Sequence, residues 1–175
     1  MTEATFALDL DALNAMDRDD FVAALGSTFE HSPWVAEGVW AARPFASLDV
    51  LHAAMVGVVR GAPRGTQVAF LCGHPELAGK EAQAGTMTSE SVGEQASAGL
   101  NALSQGEMGE LRELNARYRE RHGFPFIVAV RRHSKTEIFN LLRSRLARDN
   151  DLELNEALAQ IAYITRLRVE AKVAV

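Results

Sequence analysis

Three places in the 175-residue chain carry side chains suited to acid–base or anion-binding chemistry. The first is His74, directly before Pro75. Contact with the proline ring disfavours helical backbone at the preceding residue, so His74 is held extended and is well placed to present its imidazole. A surface histidine at a turn satisfies the same pattern. The second is Ser91-Val92-Gly93-Glu94-Gln95. Ser91 and Glu94 have capping-box spacing. If the helix instead opens upstream, near Ser89 and Glu90, then Ser91, Glu94, Gln95 and Ala98 stack on one face. A hydroxyl, a carboxylate and an amide beside small Ala98 and Gly99 then leave room for a ligand. Gly93 costs such a helix about 1 kcal/mol relative to alanine, which points to something approaching the backbone there. The third is Arg168. At about 100° per residue, Leu154, Leu158, Ile161, Thr165 and Arg168 share one stripe and Arg166 points away from it. A guanidinium on that stripe needs a carboxylate or an anionic ligand. An ion pair with a core acid such as Glu94, snorkelling at a fraying helix end, and ligand binding all meet that need.

Other chemistries find little support. Cys72 is the single cysteine and has no nearby base, so there is no intramolecular disulfide. His31, His52, His122 and His133 have no metal-ligand spacing, which gives no metal site, and neither common phosphate-binding loop pattern occurs. A net charge of −5 argues against nucleic acid. Met1 to Leu10 lacks a basic flank and a long apolar core, so it does not read as a signal peptide. No apolar run suits a membrane span, and the last residues are not a peroxisomal tripeptide, so a soluble, cytoplasmic protein is the simplest placement.

The elements that must position these residues read as helices. With 47% hydrophobic and 23% charged residues, the chain suits one domain, 1–175, able to bury roughly two thirds of its unfolded surface. Asp17 caps a helix with Phe21, Leu25 and Phe29 spaced four apart, unless Gly26 stops it early. Ser32-Pro33 opens another with Trp34, Val35, Val39 and Trp40, which Arg43-Pro44 ends. Ser47 caps a third, with Leu48, Leu51, Met55, Val58 and Val59 on one side. Residues 66–71 form a short apolar segment ended by Gly73, and 79–88 read as a loop. Helices are expected over 89–103 and 107–121, the second striped by Met108, Leu111, Leu114 and Tyr118 and stopped by Gly123. Arginines and glutamates alternating along the second predict a solvated, salt-bridged face. Residues 124–130 predict buried, mostly extended chain, Ser134-Lys135-Thr136-Glu137 is a capping box, and a last helix starts near Leu152 and runs towards the chain end. The expectation is an all-α, single compact bundle of about eight to nine short helices. Its amphipathic faces permit a homodimer, but no heptad seam demands one.

Several strings, in order along almost the whole chain, resemble one family. They are Phe29-Glu30-His31-Ser32-Pro33-Trp34-Val35-Ala36, His74-Pro75-Glu76-Leu77-Ala78-Gly79-Lys80, the run from Ser91 to Leu100, and Leu114-Asn115-Ala116-Arg117-Tyr118 leading to Gly123-Phe124-Pro125-Phe126-Ile127, closed by Arg166-Leu167-Arg168. The chain is similar in these to the decarboxylases of 2-oxo-4-hydroxy-4-carboxy-5-ureidoimidazoline (OHCU), the last enzymes of the urate-to-allantoin route. The resemblance implies an all-α carboxy-lyase without a cofactor, taking OHCU as substrate and giving (S)-allantoin and carbon dioxide. It implies His74 as catalytic acid/base, with Glu94 and Arg168 completing the catalytic set. Pro75, Ser91, Val92, Gly93, Glu94 and Gln95, with the backbone of Phe126, Ile127, Val128, Ala129 and Val130, would line the substrate pocket. His122 departs from the pattern, standing where the family usually has phenylalanine. A non-catalytic binding module on the same scaffold, and a hydrolase acting earlier in the route, are the competing readings. Intact His74, Glu94 and Arg168 speak against the first, and the lack of an activated nucleophile against the second.

Overall fold

The computed structural model describes residues 8–174, so the amino-terminal stretch read for a leader lies, up to Ala7, outside the described residues, as does Val175. The protein is all-α, with one two-residue parallel ladder pairing β1 (Leu8–Asp9) with β2 (Val173–Ala174) in the register Leu8 to Val173. Two compact units are distinguished: one up to Ala62 together with the stretch from Thr165 onward, the other Pro63–Ile164.

The first unit contains α1 (Leu10–Ala15), α2 (Arg18–Leu25), α3 (Trp34–Val39) with a 3-10 turn behind it, and α4 (Leu48–Arg60). Asp17 and Ser47 cap α2 and α4, accepting from the amides of Asp20 and Val50, as their sequence context predicts. Ser32 does not cap α3. Its hydroxyl donates to the Glu30 carbonyl instead, at 2.9 Å. Helices α3 and α4 pack closely at Gly38, where a Cβ would stand 3.2 Å from both Val58 methyls. Glu30 is fully buried, and the Arg168 Nη1 donates to its carboxylate at 3.0 Å and to the Thr28 carbonyl at 3.3 Å.

The second unit contains α5 (Arg64–Cys72), α6 (Lys80–Ala84), α7 (Ser89–Ser97), α8 (Gln105–His122), a 3-10 turn at Val130–Arg132, α9 (Lys135–Leu146) and most of α10 (Asn150–Lys172). Three differences from expectation concern this unit. The apolar segment after Pro63 is a full helix, the 79–88 loop contains the short α6, and α7 ends at Ser97 where 103 was expected. Gly99, at φ +74, supplies the left-handed turn that ends α7. Both Ser104 and Ser134 form reciprocal capping boxes with Glu107 and Glu137. Lys135 beside Glu107, together with the Ser104 amide, holds that carboxyl at about 2.

Residues 124–129 adopt no regular secondary structure yet are buried, as their composition predicts. Around them lies a polar cluster. Glu153 on α10 has no exposed surface; its carboxylate accepts from the Tyr118 hydroxyl at 2.6 Å and from the Arg145 Nε at 2.7 Å. Arg145 also donates to the Ile127 carbonyl at 2.7 Å and covers the Phe126 ring. His122 is buried here too, its Nε2 facing the Leu146 carbonyl at 3.2 Å and its ring 4.5 Å from that of Tyr118.

Burial, first, and the Glu153 hydrogen bond hold the Tyr118 phenol well above its usual range. The unfolded chain therefore ionises this group near pH 10 while the folded chain keeps it neutral, so its contribution to stability is full below that pH and fades above it. Tyr118→Phe is expected to cost about 1–3 kcal/mol at neutral pH in urea unfolding, and to flatten the fall in stability between roughly pH 10 and 12.

Candidate functional site

His74 follows the end of α5, where its amide donates to the Leu71 carbonyl at 3.1 Å. It is not a surface histidine: it is 5% exposed, with its ring edge-on to Phe70 at 5.1 Å. Nδ1 faces the Phe70 carbonyl at 3.3 Å. A carbonyl can only accept, so in the neutral ring Nδ1 carries the proton and Nε2 is the basic nitrogen. Pro75 begins a turn that takes Ala78 to φ +47, a conformation unusual for a residue with a Cβ.

That turn is fastened from two helices. The Gln95 Oε1 on α7 accepts from the Ala78 amide at 2.8 Å, and its Nε2 donates to the Glu76 carbonyl at 3.4 Å. From α8, the Asn115 amide donates to the Leu77 carbonyl at 3.1 Å and Arg119 pairs with Glu76 at 3.1 Å. The charged face of α8 therefore reaches other elements as well as solvent. Arg143 of α9 pairs with its Glu110.

Helix α7 is capped by Thr88, which accepts from the Ser91 amide at 3.3 Å, so Ser91 and Glu94 do not form a capping box. Ser91 and Gln95 are buried, Glu94 is half-buried and Val92 exposed, in keeping with the one-face pattern. Gly93 is approached by Arg131, whose guanidinium lies 3.4 Å from where a Cβ would stand. The Val130–Arg132 turn packs on α7, which brings the end of the buried 126–130 segment to the helix carrying Ser91, Gly93 and Glu94. Val92 and Gln95 also border a mostly apolar cavity of about 290 Å³ with Ala78, Met87, Leu100 and Met108. The His74 turn, α7 and the 126–130 segment thus all belong to one unit.

Arg168 lies in the other unit. The stripe that predicts its burial holds: Leu154, Leu158, Ile161, Thr165 and Arg168 are all buried, while Arg166 is on the surface with Asp49 and Glu170. Arg168 pairs with the buried acid Glu30. Residues that the sequence reading did not single out are Asn115, Arg145 and Gln160. Asn115 and Arg145 are polar members of otherwise apolar helical rows, the signal that marked Arg168, whereas the row of Gln160 also carries Glu153 and Glu156. Among the described residues, no group of three or more His, Cys, Asp or Glu could hold a metal ion, and no helix is long and apolar enough to cross a membrane.

Comparison with known proteins gives a consistent result. The family model described as OHCU decarboxylase matches residues 14–170. The chain is 44% identical over 160 residues to the uric acid degradation bifunctional protein PucL of Bacillus subtilis, covering 91% of this chain but only 32% of that protein. It is 38% identical to the 2-oxo-4-hydroxy-4-carboxy-5-ureidoimidazoline decarboxylase of Mus musculus, covering 93% of this chain and 91% of the relative. Among solved structures, an (S)-allantoin synthase superposes with a TM-score of 0.76 at 26% identity, covering 95% of this chain and 54% of that one.

The Gln95 tie has a direct test. Gln95→Leu removes the acceptor of the Ala78 amide at a strained residue, and is expected to cost about 1–3 kcal/mol. Amide hydrogen exchange at Ala78 should quicken markedly while the helical circular dichroism stays unchanged.

Proposed function

The chain belongs to the OHCU decarboxylase family and is a decarboxylase of urate degradation, and on that premise we propose that it converts OHCU to (S)-allantoin and carbon dioxide with His74 as acid/base. One observation supports the assignment most: His74 is buried, its Nδ1 is turned to a carbonyl, and its turn is tied by Gln95 to the helix that carries Glu94.

The substrate supplies its own electron acceptor, so no cofactor is needed to hold charge. When the bond between the ring carbon and the carboxylate breaks, its electron pair forms a C=C bond with the adjacent ring carbon, and the former C=N nitrogen takes a proton. The hydroxyl on the decarboxylated carbon then gives up its proton as that carbon becomes a carbonyl. The neighbouring carbon, which bears the ureido group, takes a proton on one face. Two tasks fall to the protein: turning the carboxylate out of the ring plane, and controlling the protons.

His74 Nε2, the basic nitrogen, takes the hydroxyl proton and returns one to carbon. Ser91 and Glu94 on the α7 face hydrogen-bond the ring or ureido nitrogens. The peptide groups of 126–130 bind anionic oxygens, a task for fixed dipoles in a site that excludes water. Gln95 acts on the site through the Ala78 amide as well as by lining it. Arg168 carries over from the family resemblance as a further catalytic residue, and its contribution is read from activity. The proposal is of a cytoplasmic enzyme with OHCU and allantoin as its small-molecule partners, and a homodimer is compatible with it.

The test generates the unstable substrate in place from urate and follows the circular dichroism of the allantoin formed. His74→Ala should lose roughly 10²- to 10⁴-fold in rate. Because water protonates either face, the residual product should also lose its handedness. A wild-type rate with the same enantiomer would remove His74 from the mechanism. Arg168→Ala should lose far more activity than Arg166→Ala, compared at temperatures where both variants keep their helicity. Equal losses would undo the assignment.

A further inference from the structure

Buried peptide groups must find partners. The 3-10 turn bonds the Ala129 and Val130 carbonyls, and ahead of it the side-chain partners fall on alternate residues, 127 and 129. The Ile127 carbonyl accepts from Arg145 Nη1 at 2.7 Å, and the Ala129 amide donates to Gln160 Oε1 at 3.0 Å. In an extended run, residues two apart direct their peptide groups to the same edge and the residue between directs its own to the opposite edge. One edge of the segment is therefore held by α9 and α10. Val128, only 4% exposed, makes no backbone hydrogen bond among the described residues.

We infer that Arg145 and Gln160 are positioning residues: by fixing the Ile127 carbonyl and the Ala129 amide, they aim the Val128 peptide groups at the substrate. The inference rests on the proposed function, since it takes this segment as part of the OHCU site. Both clamps are themselves held. Arg145 is 4% exposed and anchored by Glu153, and Gln160 donates to Glu156 at 2.7 Å. An arginine suits the first position because its fork serves the Glu153 carboxylate and the Ile127 carbonyl together, which the single ammonium of lysine cannot do in that geometry. Val128 N–H suits an oxygen of the substrate, and its carbonyl suits an N–H of the ring or ureido group. The aim of one peptide unit would thus select both ends of a polar ureide.

Gln160→Met keeps the side-chain length and removes the acceptor; Arg145→Lys keeps the charge and removes the fork. Arg121→Ala serves as a destabilised reference, because among the described residues its guanidinium donates to the Ala147 and Arg148 carbonyls just after α9. All are assayed with substrate generated from urate, and titrated separately with (S)-allantoin. Gln160→Met and Arg145→Lys are each expected to raise KM and weaken allantoin binding about tenfold, the loss of one well-made hydrogen bond, with kcat within about threefold of wild type. Arg121→Ala should lower the melting temperature and leave KM unchanged. If the two variants only lower the melting temperature, as the reference does, Arg145 and Gln160 are structural and the inference fails. Should one variant not fold, the other decides by the same criterion. A wild-type protein that forms no allantoin would instead overturn the proposed function itself.

Discussion

A carboxylate with no exposed surface must be surrounded by donors, because leaving it charged and unpaired costs several kcal/mol. Glu153 meets that condition through Tyr118, Arg145 and, at 3.4 Å, Arg148. The consequences spread through the Pro63–Ile164 unit. Tyr118 fixes the last turns of α8, Arg145 fixes the last turn of α9, and the guanidinium left over from Glu153 reaches the irregular segment at Ile127. Chain without helix or strand can lie in an apolar interior only if such groups receive its peptides. The other unit has its own buried carboxylate, Glu30, answered by Arg168. In each case a buried arginine on a helical stripe is set by a buried acid, 8 residues away for Arg145 and 138 for Arg168.

Helical periodicity explains why much of this was legible. The stripe through Leu154, Leu158, Ile161 and Thr165 places Arg168 inside and Arg166 outside without any knowledge of the partner, and the burial agrees. Asp17, Ser47 and Ser134 were readable as caps because capping is local. The partner of Arg168 was not, since Glu30 stands 138 residues away and nothing local links the two. Ser91 and Glu94 had capping-box spacing, but Thr88 lay three residues earlier with an equally good oxygen, and the helix took it. The same stripe reasoning applied to Ile138, Leu142 and Arg145 would have drawn Arg145 out of its basic run. Gln160 was harder, because a buried amide resembles a surface one until its backbone partner is known.

The candidate site divides along similar lines. Residue types and order pointed to His74, Glu94 and the 126–130 backbone through resemblance, whereas the basic nitrogen of His74 depended on the Phe70 carbonyl, which only the folded chain supplies. His122, a departure from the pattern that the resemblance implies, has an ordinary explanation in its surroundings. Its ring packs with Tyr118 and Phe124 as an aromatic side chain would, and its nitrogens meet Leu146 and Asn150.

The bond from Gln95 to Ala78 joins residues 17 apart and bypasses the stretch between them. That stretch, with the short α6 and much exposed surface, does not have to carry the placement of His74 along its own length. Lengthening a surface connection adds only a slowly growing entropy cost when its two ends are already fixed. Residues 80–86 are therefore where this chain can accept insertions, tags or a borrowed recognition loop while His74 stays in register with α7.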